Sequence, residues 1–185
     1  MTTLPASVTW SVSLSDMDSY VKLAKDTIDS YIRRKRIIDM PSDLPSEMVE
    51  NAAGVFVSLH ENGDLRGCIG TMMPTCENIA TEIIRNAISS ATRDPRFSPV
   101  TPDELDHLEV KVDVLTTPED VSSFDDLDPR KYGVIVTSGH KRGLLLPDLE
   151  GVDSVMDQIN ISMAKAGIEP GELITIQRFE VIRHK

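Results

Sequence analysis

The chain has 185 residues, 40% hydrophobic and 26% charged, with a formal net charge of −11, the profile of a globular protein of one domain or two small lobes. At this length a chain buries about 70% of its unfolded surface, so it needs no metal or disulfide to hold a core, and Cys68 and Cys76 form no framework. The acidity argues against general nucleic-acid binding, and the longest apolar run, Leu144 to Pro147, is far too short for a membrane helix, so the expected setting is cytoplasmic and reducing.

Residues 1–14 alternate weakly around Val8, Trp10 and Val12, as an edge segment or tail would. Ser15 and Asp18 resemble a capping box, and Tyr20, Ala24, Ile28, Tyr31 and Ile32 recur at helical spacing, which predicts a helix from about Asp16 to Ile37. Arg33, Arg34, Lys35 and Arg36 close it, where cations complement the helix dipole. A loop follows over Pro41 to Pro45. Ala53 to His60 alternates as a strand, and Asn62-Gly63 supplies the two positive φ angles of a two-residue hairpin turn. The return strand, Leu65 to Gly70, then sets Leu59 opposite Arg66 and Val57 opposite Cys68. Pro74 and Thr75 open a helix with an apolar stripe at Ile79, Ile83, Ala87 and Ala91, ended by Arg93-Asp94-Pro95-Arg96-Phe97.

Thr101-Pro102 starts a short helix to His107, and Leu108, Val110, Val112 and Val114 then mark a strand with one dry face. Pro118 to Arg130 reads as an acidic connection with one helical turn near Pro118 to Val121. Gly133 to Thr137 and Gly143 to Leu146 are short strands around a polar loop from Ser138 to Arg142. Ser154 caps a helix stopped at Gly167, and Leu173 to Ile182 is a last strand with a bulge between Ile176 and Phe179. The fold class expected is α+β: a largely antiparallel sheet flanked by about three main helices, in one domain over 1–185 that allows two lobes.

Three clusters can carry chemistry. In Leu65-Arg66-Gly67-Cys68-Ile69-Gly70, a regular strand puts Arg66, Cys68 and Gly70 on one face, where the cation favours a thiolate and the glycines admit a ligand. The same register places Cys68 beside Val55 and Val57, where a thiol simply packs and the glycines accommodate a strand bend. Asp94 and Arg96 form either a ligand contact or a helix exit in which Asp94 pairs with an arginine. His140, Lys141 and Arg142 form a cationic tip, either solvated or reaching toward that site. His60, His107 and His184 lack metal-ligand spacing, and Cys76 reads as a packing residue in a first helical turn. There is no GxGxxG, P-loop, GxSxG or CxxC, so no cofactor is identified and no metal site is read.

Residues 65 to 70 match in full the hexapeptide Leu-Arg-Gly-Cys-Ile-Gly of the AMME syndrome candidate-region proteins, and the chain resembles that family over about Ser15 to Ile182. Ala53 to Leu59, Asp94-Pro95-Arg96-Phe97, Gly143 to Pro147 and Lys165-Ala166-Gly167 follow in the family's order. Met163 departs from it, standing where a cysteine is common. The resemblance implies an α+β domain and genomic association with Memo-like and radical SAM proteins. Carried onto this sequence, it marks Arg66, Gly67, Cys68 and Gly70, with Asp94 and Arg96 second. Two functions stand. One is an enzyme or enzyme component for a small anionic metabolite, with Cys68 as nucleophile and Arg66, Gly67, Gly70, Asp94, Arg96, His140 and Arg142 around the ligand. The other is a non-catalytic binding or adaptor module with the hexapeptide as structural core.

Overall fold

The computed structural model describes residues 17–185; the segment around Trp10 and the expected cap at Ser15 lie outside the described residues. Helix α1 (Ser19–Arg34) starts later and ends earlier than its periodicity suggests. Asp18 caps it, accepting from the Tyr20 and Val21 N–H groups, and Lys35 stops it in the left-handed region at φ 55°. Its buried face, Leu23, Ala24, Ile28 and Ile32, lies in the main core. A one-turn helix, α2 (Ser46–Glu50), has no periodic signal and buries only Met48.

Strands β1 (Val55–Glu61) and β2 (Asp64–Gly70) form the expected hairpin, with Asn62 at φ 52° and Gly63 at φ 87°. Its register departs from expectation. Glu61 faces Asp64 and His60 faces Leu65, but Leu59 faces Gly67, so Arg66 is an extra, bulged residue. Cys68 therefore faces Ser58, and the assignment of Cys68 to the Val55 and Val57 side is corrected: a single inserted residue flips every later side chain to the other face.

Helix α3 (Ile79–Thr92) starts at an Asn78 cap rather than at Pro74. The buried Glu82 carboxylate accepts from the Thr75 and Cys76 N–H groups and the Thr71 and Thr75 hydroxyls, holding this loop outside the helix and removing Cys76 from a helical turn. A 3-10 turn over Pro102–His107 leads into β3 (Leu108–Leu115), both as expected. The helical turn expected near Pro118 is instead a short strand, β4 (Glu119–Asp120), with the turn displaced to Phe124–Asp126. Strands β5 (Gly133–Ser138) and β6 (Lys141–Leu145) leave only Gly139-His140 as turn, so Lys141 and Arg142 are strand residues. Helix α4 (Val155–Ala166) has the expected Ser154 cap and Gly167 stop.

The last expected strand is two, β7 (Thr175–Phe179) and β8 (Val181–His184). The bulge expected between Ile176 and Phe179 is absent, since β7 pairs with β5 in unbroken register there. The apolar parity shifts because Ile176 packs on the α4 side and Phe179 on the other, and the chain changes sheet only at Glu180, with β7 paired to β4 and β5 and β8 to β3. The result is two antiparallel sheets, β2-β1-β3-β8 and β4-β7-β5-β6. The chain crosses between them twice, and the crossings bond to each other: the Thr116 N–H donates to the Glu180 carbonyl and the Glu180 N–H donates to the Thr116 hydroxyl.

α1 and α3 cover one face of the first sheet around Val55, Val57, Leu59, Val110 and Val112. α4 covers one face of the second around Val134, Val136 and Ile176. The uncovered faces meet in a smaller cluster of Leu115, Ile135, Leu144 and Phe179, with Phe56, Leu146 and Val181 against it. No described helix is long and apolar enough to cross a membrane.

Candidate functional site

The register places Phe56, Ser58 and His60 of β1, Cys68 and Gly70 of β2, Lys111, Asp113 and Leu115 of β3, and Val181 and Arg183 of β8 on the face turned away from α3. Phe56, Leu115 and Val181 contact the second sheet. The remainder of the face is polar, and half-buried Cys68 lies on it. The candidate site is this polar part, where the contact between the sheets gives out.

β2 is an edge strand, and the Asp94-Pro95-Arg96 turn after α3 seals it. The Cys68 N–H donates to Asp94 Oδ2 at 2.9 Å, and Arg96 Nη2 donates to the Cys68 carbonyl at 3.3 Å. Asp94 is only 4% exposed, and it also accepts from Arg96 Nε at 3.0 Å and Arg96 Nη2 at 2.8 Å. The Arg96 bonds hold its carboxyl well below the ordinary carboxylate range, outweighing burial, with the Cys68 N–H adding to the effect. Arg96 itself is more than half exposed. Its Nη1 makes no hydrogen bond among the described residues.

Burial pushes the Cys68 thiol up; the Arg96 guanidinium pulls the other way, and Asp113 and Asp94 reinforce the rise. Burial thus opposes the thiolate that the nearby cation favours. Arg183 grips Asp113 with Nε at 2.8 Å and Nη2 at 2.9 Å, leaving a second guanidinium half-exposed on this face. Burial lowers His60, with Lys111 adding to the shift, and its buried Nδ1 has no partner among the described residues.

Arg66 is placed elsewhere. The bulge turns it toward the segment after α3, where Nε and Nη2 hold both Glu104 oxygens at 2.6 and 3.2 Å and Nη1 donates to the Ser98 carbonyl. It clamps this segment through Glu104, and the arginine that Asp94 pairs with is Arg96. Gly67 lies against the Ser90 carbonyl, and the Phe56 ring covers Gly70, so neither admits a Cβ. The Ile69 N–H donates to Ser90 Oγ.

At the other hairpin, Lys141 pairs with Glu172 at 2.6 Å and Arg142 Nη2 reaches Gln177 at 3.5 Å. Among the described residues, no hydrogen bond or ion pair joins the tip at His140, Lys141 and Arg142 to Cys68. The structure therefore joins Cys68, Asp94 and Arg96 by hydrogen bonds and places Asp113 and Arg183 on the same face, while Arg66 is committed to Glu104 and Ser98 and Arg142 reaches Gln177. Asp113 and Arg183 are 70 residues apart and become neighbours only through the β3–β8 register. Both cysteines are free, and the described residues hold no cluster of three or more His, Cys, Asp or Glu suited to a metal.

Fold and site together define a two-sheet α+β protein whose edge-strand hexapeptide is sealed by an Asp-Pro-Arg turn. The AMMECR1 family model matches residues 21–184, and the chain belongs to this family. A Thermotoga maritima protein is 52% identical over 168 residues, covering 90% of this chain and 97% of the relative. A Clostridium acetobutylicum protein is 50% identical over 171 residues, and this chain matches 36% of its greater length. The crystal structure of an uncharacterised Pyrococcus horikoshii protein superposes with a TM-score of 0.77 at 31% identity, covering 89% of this chain and 88% of that one.

Proposed function

We propose that this chain acts as one cytoplasmic domain that binds a small anionic metabolite on the polar face beside Cys68, with Arg96 as the anion-accepting group. One observation carries the reading: a buried carboxylate, Asp94, is committed to orienting a half-exposed guanidinium over Cys68. The same bonds seal the edge of β2, but they leave one edge of Arg96 free, and a free guanidinium edge can donate to a carboxylate or phosphate and stays charged at any physiological pH. Asp94 positions Arg96, the Cys68 side chain supplies a neutral surface beside the ligand, and Arg183 adds a second positive group. Nucleophilic chemistry at Cys68 requires a bound ligand or partner that stabilises the thiolate.

The test is a thermal-shift screen of inorganic phosphate and small mono- and dicarboxylates on the full chain carrying Cys76→Ser, followed by alkylation of Cys68 in the presence of any hit. A ligand at 100 times its Kd stabilises the fold by about 2.7 kcal/mol. The expected result is a hit that slows Cys68 alkylation and whose effect is lost in Arg96→Lys. A screen with no stabilising member, or a hit that leaves Cys68 alkylation unchanged, defeats the proposal.

The adaptor reading also has specific support, because Arg66, Gly67 and Ile69 serve contacts within the fold. On that reading the partners expected are Memo-like and radical SAM proteins. Affinity co-purification with the full chain would recover one of them, and Arg96→Lys would leave the recovery unchanged.

A further inference from the structure

The second sheet carries a recess of its own. On its face away from α4, the register lays Thr175, Thr137 and Arg142 in one row and Asp120, Gln177, Ile135 and Leu144 in the next. Ile135 and Leu144 lie in the cluster against the first sheet. The polar row remains open, and with Asp120, Gln177 and Ser122 it lines a concavity of about 860 Å3, the size of a small-molecule site.

Its charges are arranged unusually. Among the described residues the Arg142 side chain makes only the 3.5 Å bond to Gln177 Oε1, while Gln177 Nε2 donates to Asp120 Oδ1 at 3.0 Å. One side-chain amide thus stands between a cation and an anion, and neither is in an ion pair among the described residues. The hydroxyls of Ser122, Thr137 and Thr175 donate to no partner among those residues. Phe124, 53% exposed, and Val121 give the same recess an apolar wall.

We propose that this recess binds a small zwitterion, an α-amino acid or short peptide with an apolar side chain. Its carboxylate meets Arg142, its ammonium meets Asp120, and its side chain lies on Phe124. A simple anion fits poorly, because Asp120 lines the recess and Asp125 and Asp126 directly follow Phe124, so a dianion is repelled. A zwitterion satisfies both charges, each through a charge-assisted hydrogen bond. The recess shares no lining residue with the Cys68 face, so this proposal stands or falls separately from the one above.

The experiment is titration of the 15N-labelled full chain with L-phenylalanine, N-acetyl-L-phenylalanine and L-phenylalaninamide, followed by amide chemical shifts. L-Phenylalanine is expected to give saturating shifts at Thr137, Thr175 and Gln177, and each blocked analogue to bind about tenfold more weakly. Arg142→Gln removes the preference for the free carboxylate and Asp120→Asn the preference for the free ammonium, while the spectrum reports whether each variant is folded. The analogue series on the unmutated chain decides the matter without the variants. No saturating shift with L-phenylalanine, or equal affinity for the free and blocked forms, overturns the proposal.

Discussion

Asp94 ties the edge of β2 to the exit of α3 and to an exposed arginine two residues further on. Its carboxyl is depressed chiefly by the Arg96 hydrogen bonds, so its contribution is full above the unfolded carboxyl value of about 3.9 and is lost as pH falls toward the lower folded value. Replacing it by alanine leaves the Cys68 N–H unpaired and should cost about 2–4 kcal/mol by urea denaturation at pH 7. With Asp94→Asn, the stability gap to wild type should stay constant above about pH 5 and narrow below about pH 4, which denaturation at a series of pH values measures. The Cys68 thiol gives a second check. Because burial raises it, its alkylation rate in a Cys76→Ser chain should still be climbing above the ordinary thiol value of about 8.5, where a rate already level at pH 7 would mean a thiolate. Arg66, Cys68, Asp94 and Arg96 are all visible in the sequence as chemistry-bearing residues. Their partners are not, because one bulge decides that Arg66 meets Glu104 and that Cys68 leaves the Val57 face.

Among the elements, those with strong local chemistry are legible: the Asn62-Gly63 turn, the Thr101-Pro102 start, the Ser154 cap and the Gly167 stop all need only neighbouring residues. The misread boundaries each involve something distant. The buried Glu82 carboxylate holds Thr75 and Cys76 out of α3, and two-residue β4 exists only because β7 is beside it. Close approach of helix and sheet sets the sharpest element-scale prediction. A Cβ at Gly67 would collide with the Ser90 carbonyl of α3, and one at Gly143 with the Ser162 carbonyl of α4. Backbone cannot yield as a flexible side chain does, so Gly67→Ala and Gly143→Ala should each lose about 1–3 kcal/mol in urea denaturation. A loss at Gly63→Ala has a different origin: nothing crowds that position, but its φ of 87° is strained for any residue with a Cβ.

At the scale of the whole molecule, the joint between the sheets rests on few side chains, and Phe179 is the largest fully buried one, 2% exposed and stacked over Gly133. Phe179→Ala should cost about 3–5 kcal/mol, and hydrogen exchange should then show the two sheets opening at different free energies. The change of sheet at Glu180 was invisible in the sequence because the disturbed alternation before it, which reads as a bulge, comes from burial of β7 on both faces, Ile176 on one and Phe179 on the other. It also bears on the order of assembly. The second sheet is one contiguous stretch, 119–179, inserted between β3 and β8, so a ribosome delivers it whole before the strand that completes the first sheet. Until β8 arrives, β3 presents an unpaired edge beside Val112 and Val114, and the Asp18–His184 fastening to α1 does not yet exist. A nascent or truncated chain ending within 119–180 is therefore a template for strand pairing with its neighbours, and aggregation during synthesis is the hazard that four residues, Val181 to His184, remove.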